Sequence, residues 1–233
     1  TCKSWVIFKQ YSSASKVVTK PRLILMGGGG HCKSVIDVVR EENQFEIAGI
    51  LDVPEKLGRE VLGVPCIGTD ERIHELAEKF RNFVITMGHL GNPKQRKKLF
   101  TLVRDSGGEL PPIVSPRAYI SRDAYIGMGT VVFHNSAVNA SARIGINCIL
   151  NTGAIVDHDT TIDNNVHIST RAVVNGQCQV GEMSFVGSGA VLAHGVCLGR
   201  NNIIGAGSVV LQDTPDNVMC AGVPAKMKKS LTL

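Results

Sequence analysis

From residue 114 to residue 210 an aliphatic side chain returns at every sixth position. The series runs Val114, Ile120, Ile126, Val132, Val138, Ile144, Leu150, Val156, Ile162, Ile168, Val174, Val180, Val186, Leu192, Leu198, Ile204, Val210, and all seventeen are Ile, Val or Leu. Such residues fill about a quarter of an average chain, so chance gives this run about once in 10¹⁰ sequences and the period is structural. Two places before each aliphatic is a second constrained position, mostly small, as in Ala118, Ala124, Thr130, Ser136, Ala142, Cys148 and Ala154. This period matches neither an α-helix, at about 3.6 residues, nor a heptad, at about 3.5. It predicts short strands joined by tight turns, each strand sending one aliphatic and one small residue inward. Gly and Asn fill many turn positions, among them Gly127, Gly145, Gly181, Asn139 and Asn175, where unusual backbone angles cost these residues least.

Before residue 113 the pattern differs. Arg22 to Met26 reads as a short buried strand, Gly27-Gly28-Gly29-Gly30-His31 as a loop, and Lys33 to Glu42 as a helix with Val35, Ile36, Val38 and Val39 inward. A second strand, Phe45 to Leu51, ends at Asp52. Strand, glycine loop, helix, strand and then an acid about 20 residues on is the order of a nucleotide-binding βαβ unit. Glycines let backbone approach a phosphate at a helix N-terminus, where free N–H groups favour an anion. The four glycines do not complete a G-x-G-x-x-G, so the motif alone leaves an ordinary turn equally open. A helix capped by Thr69 follows, then a strand from Asn82 to Met87 reaching Gly88, and a helix from Pro93 to Gly107-Gly108. The length suits a single mononucleotide-type half.

Composition changes this picture little. Aromatics at 5% and 25 glycines favour small turns and aliphatic contacts. The net charge of +5 is spread out, apart from Arg96-Lys97-Lys98 and the tail Lys226, Lys228, Lys229. These read as solvated surface, the tail suiting a polyanionic cofactor equally well, and no aromatic interleaving points to nucleic acid. The seven cysteines lack any C-x-x-C, which reads as a reduced, cytoplasmic chain without a disulfide framework or zinc site. No apolar run approaches the roughly 20 residues that span a bilayer. Residues 1–21 lack an initiator Met and resemble neither a signal peptide nor a domain start; a remnant of a longer chain and an added segment both remain open.

One histidine stands out. His158 lies two places after the inward Val156, so it projects from the repeat, between Asp157 and Asp159. A neighbouring acid can hold an imidazole in one tautomer and stabilise the imidazolium. The same triplet also fits a surface histidine in an acidic turn. His134, His167 and His194 share the repeat, but the His-x₄-His spacing of zinc-binding β-helices such as the γ-class carbonic anhydrases is missing, so no metal is expected. His74 and His89 read as ordinary surface or loop residues.

The chain from about Arg22 to Lys228 resembles the hexapeptide-repeat acyltransferases. Within them it is similar to the bacterial nucleotide-sugar acetyltransferases, including the UDP-4-amino-sugar N-acetyltransferase of bacillosamine synthesis. The strings that carry this are Gly27 to His31, Leu150-Asn151-Thr152, Asp157-His158-Asp159, His167, and Ala221 to Lys226. The resemblance implies an N-terminal extension or linker at 1–21, an α/β Rossmann-like nucleotide-sugar-binding domain at 22–112 and a left-handed parallel β-helix at 113–228. Three hexads per coil then give five to six coils, about 25 Å tall at ordinary strand spacing. Both ends need caps, the first domain for one and the tail after Pro215 for the other. The family is trimeric, with active sites between neighbouring prisms, so a homotrimer is implied.

The resemblance also implies acetyl-CoA as co-substrate, His158 as general base with Asp159 as its partner, and Asn151 near the reacting groups. It places His167 beside acetyl-CoA, with contacts at Gly176, Ser188 and Ala206 and along the Val223, Pro224, Lys226 turn. It puts Gly29, Gly30, His31, Asp52 and Gly88 around the acceptor's nucleotide. Three departures blur the acceptor. Cys32 replaces the last glycine of the family loop, Asp159 stands where the bacillosamine-type enzymes carry Glu, and Val53 follows Asp52 where a second acid can occur. N-acetylation of a nucleotide-linked amino sugar leads. O-acetylation of a sialic or related nonulosonic acid is the alternative, favoured by the stretch from Ile168 to Ser188, and a non-catalytic hexapeptide-repeat module is the third.

Overall fold

In the computed structural model, which describes residues 20–231, the six-residue period closes into a parallel β-helix. Each period-six aliphatic is the second residue of a two-residue strand, from Ile113–Val114 to Val209–Val210. Ala137 pairs with Ile155 and Ile155 with Val173, so three hexads make one coil. The inward aliphatics are buried from Val132 to Val210, while Val114, Ile120 and Ile126 at the first coil are only partly covered. Buried hydroxyls in the small column bond to the next coil's backbone, as Thr160 Oγ1 to Asn175 O at 2.9 Å and Ser184 Oγ to Gly199 O at 2.9 Å. That satisfies polar groups which burial would otherwise penalise.

The three faces of the prism differ in what they point outward. One carries Ile113, Val131, Ile149, His167, Phe185 and Ile203, and is covered by the N-terminal unit and its loops. A second carries Tyr119, Ala137, Ile155, Val173, Val191 and Val209 and is apolar, exposed or half-buried, and bare of cover among the described residues. The third carries Tyr125, Arg143, Thr161, Gln179 and Cys197 and is mainly polar.

The N-terminal unit contains β1 (Arg22–Met26), α1 (Gly30–Glu42), β2 (Glu46–Leu51), β3 (Glu60–Val61), β4 (Val64–Gly68), α2 (Ile73–Phe80), β5 (Asn82–Ile85) and α3 (Lys94–Asp105). Its sheet runs β3-β4-β2-β1-β5. Leu23 and Leu25 face α1, and Ile24 and Met26 face α2 and α3, the two-residue alternation of a strand covered on both sides. Helix α1 is packed between this sheet and the covered face of the β-helix. The unit thus lies on the flank of the prism and not across its end as the sequence predicts. The reason is the outward aliphatics Ile113, Val131 and Ile149, which would otherwise face water.

The far end is capped as expected. Val218–Gly222 extends the covered sheet, Ala225–Ser230 returns antiparallel to it, and Val218 and Cys220 complete the core. Helix α1 begins earlier than predicted, at Gly30. Thr69 makes no side-chain cap and stands instead before a 3-10 turn at Asp70–Arg72 that leads into α2. The predicted extension at 1–21 lies, except for its last two residues, outside the described residues.

Candidate active site

Strand β1 sits between β2 and β5, so chain order reverses beside it and the loops after β1 and β5 meet at the carboxyl ends of the strands. Such a switch point is where a sheet of this kind forms its crevice. The loops bring Gly28 to His31 against Gly88, where a Cβ would lie 3.5 Å from the His31 ring. Gly29 and Gly30 face open space. Helix α1 has no side-chain cap and no acid in its first turn, so its first N–H groups suit an anion.

Asp52 closes the loop from the other side. Its carboxylate accepts from Val53 N at 2.7 Å, from Lys56 Nζ at 2.8 Å and from Gly28 N. Burial alone would raise this carboxyl, but Lys56 and the two backbone donors outweigh it and hold it below the usual range. Cys32 turns fully into the core, its thiol pushed up to about 11 by burial.

His158 stands at the corner between the bare and polar faces. Its Nδ1 lies 2.9 Å from Asp159 Oδ2, which fixes the proton on Nδ1 and leaves the Nε2 lone pair free. Asp159 reaches it from a left-handed backbone, φ 57°, which Asp tolerates better than most residues. The bond to Asp159, reinforced by Asp157, raises the His158 pKa above its ordinary value. Gly176 is in the same corner, one coil on.

Asn151, Ser188 and Ala206 lie instead at the corner between the covered and bare faces, with His167 beside them on the covered face. His167 Nδ1–H donates to the His89 carbonyl at 2.7 Å, so its Nε2 is unprotonated and faces Asn151 Nδ2 at 3.4 Å. Burial pushes the His167 pKa down to about 4. The predicted site residues within the coils therefore divide between the two edges of the bare face of one chain. Val223 and Pro224, joined by a cis peptide, and Lys226 belong to the capping hairpin. A shallow groove on the polar face, lined by Asp163, Arg200, Asp213 and Asp216, holds none of the predicted residues.

Two residues that the sequence assigns to the surface are buried where the N-terminal unit meets the β-helix. His89 is 6% exposed, its ring edge-on to His167 and Phe185. Arg96 is 1% exposed and donates to the carbonyls of Ile85 (2.7 Å), Met87 (2.9 Å), Gly129 (3.1 Å) and Asn147 (3.2 Å). Its position with Leu99 and Val103 on one helical face was the available signal. His31 beside it is neutral, burial and then the Arg96 charge lowering its pKa to about 3. His134 bonds Ser115 Oγ at 2.6 Å and Asp37 at 2.9 Å, tying α1 to the β-helix. Among the described residues no cluster of three or more His, Cys, Asp or Glu side chains could hold a metal, and no helix is long and apolar enough to cross a membrane.

A β-helix of six-residue repeats, flanked by an α/β unit with a glycine loop at its switch point, is the architecture of the hexapeptide-repeat transferases. Two family models match, the PglD N-terminal domain over residues 22–103 and the bacterial transferase hexapeptide (six repeats) over residues 177–212. The chain is similar to a histidine-to-asparagine variant of perosamine N-acetyltransferase from Caulobacter crescentus, solved with CoA and GDP-perosamine. Identity there is 36% and the TM-score 0.84, covering 93% of this chain and 100% of that one. It is also similar to the acetyltransferase domain of PglB from Neisseria gonorrhoeae in complex with acetyl coenzyme A, at 33% identity and TM-score 0.84, covering 90% and 100%. WeeI from Acinetobacter baumannii shares the fold at 23% identity and TM-score 0.78, covering 88% and 99%. No curated protein sequence matches. The chain belongs to the hexapeptide-repeat sugar acetyltransferases that carry a PglD-type N-terminal domain.

Proposed function

We propose that the protein transfers an acetyl group from acetyl-CoA to the amino group of a nucleotide-linked sugar, with His158 as general base. The observation that carries this is the His158–Asp159 pair, which presents a free Nε2 lone pair at a solvent-facing corner. Acetyl-CoA supplies the activated thioester. The sugar amine attacks its carbonyl, the N–C bond forms, the C–S bond breaks, and His158 passes the amine proton to the departing sulfur. The glycine loop and the start of α1 hold the nucleotide phosphates. Lys226, Lys228 and Lys229, on the exposed strand Ala225–Ser230, suit the anionic end of CoA. The relatives solved with CoA, acetyl-CoA and GDP-perosamine bind the two ligand types this reading requires. The cysteines of the described residues are all free, as suits a reducing compartment, and we assign the reaction to the cytoplasm.

The test is release of free CoA thiol from acetyl-CoA with UDP-, dTDP-, GDP- and CMP-sugars, amino and hydroxy. Turnover with an amino sugar names the nucleotide; release only with a sialic-type hydroxyl acceptor overturns N-acetylation. His158 works as the neutral form, and Asp159 raises its pKa. The rate therefore falls as pH drops through a value above the about 6.5 of free imidazole. In Asp159→Asn this acid limb shifts to lower pH, which a kcat/KM profile of both proteins reads. A limb that stays in place removes Asp159 from the role.

The bare face supports a homotrimer. An outward column of Ile155, Val173, Val191 and Val209 is costly to leave in water. Its two edges carry the His158 and the Asn151–His167 halves of the site, and a second chain laid on the face brings one half against the other. Val173→Glu is expected to give folded monomers by light scattering, with activity lost in step. A variant that stays oligomeric and active would exclude this face as the interface.

A further inference from the structure

Successive coils turn the corner of His158 with Ala140, His158, Gly176 and His194. After each of the last three, the next amide bonds back to the backbone one coil before: Asp159 N to Ala140 O at 3.0 Å, Gln177 N to His158 O at 2.9 Å, Gly195 N to Gly176 O at 2.9 Å. The turn thus accepts alanine and histidine and does not itself require glycine. Gly176 has no left-handed φ that would require it either. A Cβ on Gly176 would lie 2.6 Å from His158 Nε2 and 2.7 Å from its Cε1, and its three nearest neighbours all belong to that ring. The imidazole reaches from its own coil over the glycine, with Nδ1 held by Asp159. Beyond it the His194 ring stands 6.1 Å away, centroid to centroid. The hydrogen bonds on both sides keep the backbone at 176 from retreating.

We propose that Gly176 is a positioning residue, the seat on which the His158 ring lies so that Nδ1 meets Asp159 while Nε2 stays open to the amine. This deepens the general-base reading and rests on it. A side chain at 176 takes the place of the ring, which is exposed and swings away at little cost to the fold. That separates the role from a backbone contact with acetyl-CoA, which alanine would leave in place. It also explains why position 176 differs from its equivalents one coil on either side.

The test is Gly176→Ala, read by kcat, KM for acetyl-CoA, thermal midpoint and the NMR titration of His158, assigned by its loss in His158→Ala. The groups facing the ring are Asp157, Asp159 and His194. The expected result is a kcat about 30- to 100-fold lower, at or just below the roughly 10²-fold low end of lost acid–base catalysis, because the displaced ring stays near the site. KM for acetyl-CoA stays within about threefold, the midpoint is unchanged, and the His158 pKa falls back towards that of free imidazole. A kcat close to wild type, or a loss confined to KM with an unmoved His158 titration, overturns the proposal. Should Gly176→Ala not fold, the His158→Ala/Gly176→Ala double variant decides: recovery of the fold supports the seat, and failure to recover overturns it. If His158→Ala itself keeps full activity, the base reading fails, whatever the Gly176 variant shows.

Discussion

Replacing His158 with alanine is expected to lower kcat by about 10³-fold, within the range that removal of a general base gives. The imidazole is solvent-exposed, and its neighbours are Asp159, the Gly176 backbone and the His194 ring. Its removal leaves no cavity in the β-helix core, so the thermal midpoint should hold. KM values for acetyl-CoA and the nucleotide sugar should change by less than about threefold, since a group that acts by taking a proton in the transition state adds little to ground-state binding. His158→Asn sharpens the result. Asparagine preserves a polar side chain of similar reach but cannot take a proton, so it should be as slow as alanine. Steady-state kinetics on the three proteins check this, and an asparagine variant near wild-type rate would show that polarity, not basicity, is what the position supplies.

The second large effect is on stability. Arg96→Met is expected to destabilise the fold by about 2–5 kcal/mol, the scale for leaving several buried acceptors without their donor. The guanidinium reaches the carbonyls of Ile85 and Met87 in the N-terminal unit and of Gly129 and Asn147 in the β-helix. Among the described residues no carboxylate is within its hydrogen-bonding reach; four carbonyl dipoles offset the cost of burying the cation, and burial lowers its pKa to about 10. Methionine fills much of the volume, so the loss reports the hydrogen bonds more than a cavity. Arg96→Lys should recover only part, because an ammonium donates from one point and cannot span acceptors laid out for a planar fork. Calorimetric unfolding reads the difference. Activity of folded Arg96→Lys should fall as well, since the 85–89 segment it holds carries Gly88 beside His31 and the His89 carbonyl on His167. A midpoint unchanged in Arg96→Met would show that the junction is held by apolar packing alone.

The period-six column was legible because every strand repeats the same inward demand, and repetition makes weak preferences additive. The glycine loop of the N-terminal unit was legible as a tight turn after the first strand, since a side chain at Gly28 would crowd Asp52, while the motif alone left its ligand open. His158 could be marked by its projection from the repeat and by its acidic neighbours. His89 and Arg96 could not be read in the same way. Each has a local context, a loop and a run of cations, that ordinarily belongs to the surface, and what buries them is contributed by residues far along the chain.

By itself the sequence determined the coil, the order of the two units and the projection of His158 from the repeat between two acids. These follow from local spacing, because a hexad fixes which way each side chain points. Tertiary structure alone decided that the N-terminal unit lies on a flank and that Arg96 links it to the β-helix. It also decided that Gly176 lies beneath the His158 ring and that the candidate site divides across a bare apolar face. Those facts depend on which surfaces meet once the coils are stacked, and contacts between stacked surfaces leave no period in the chain.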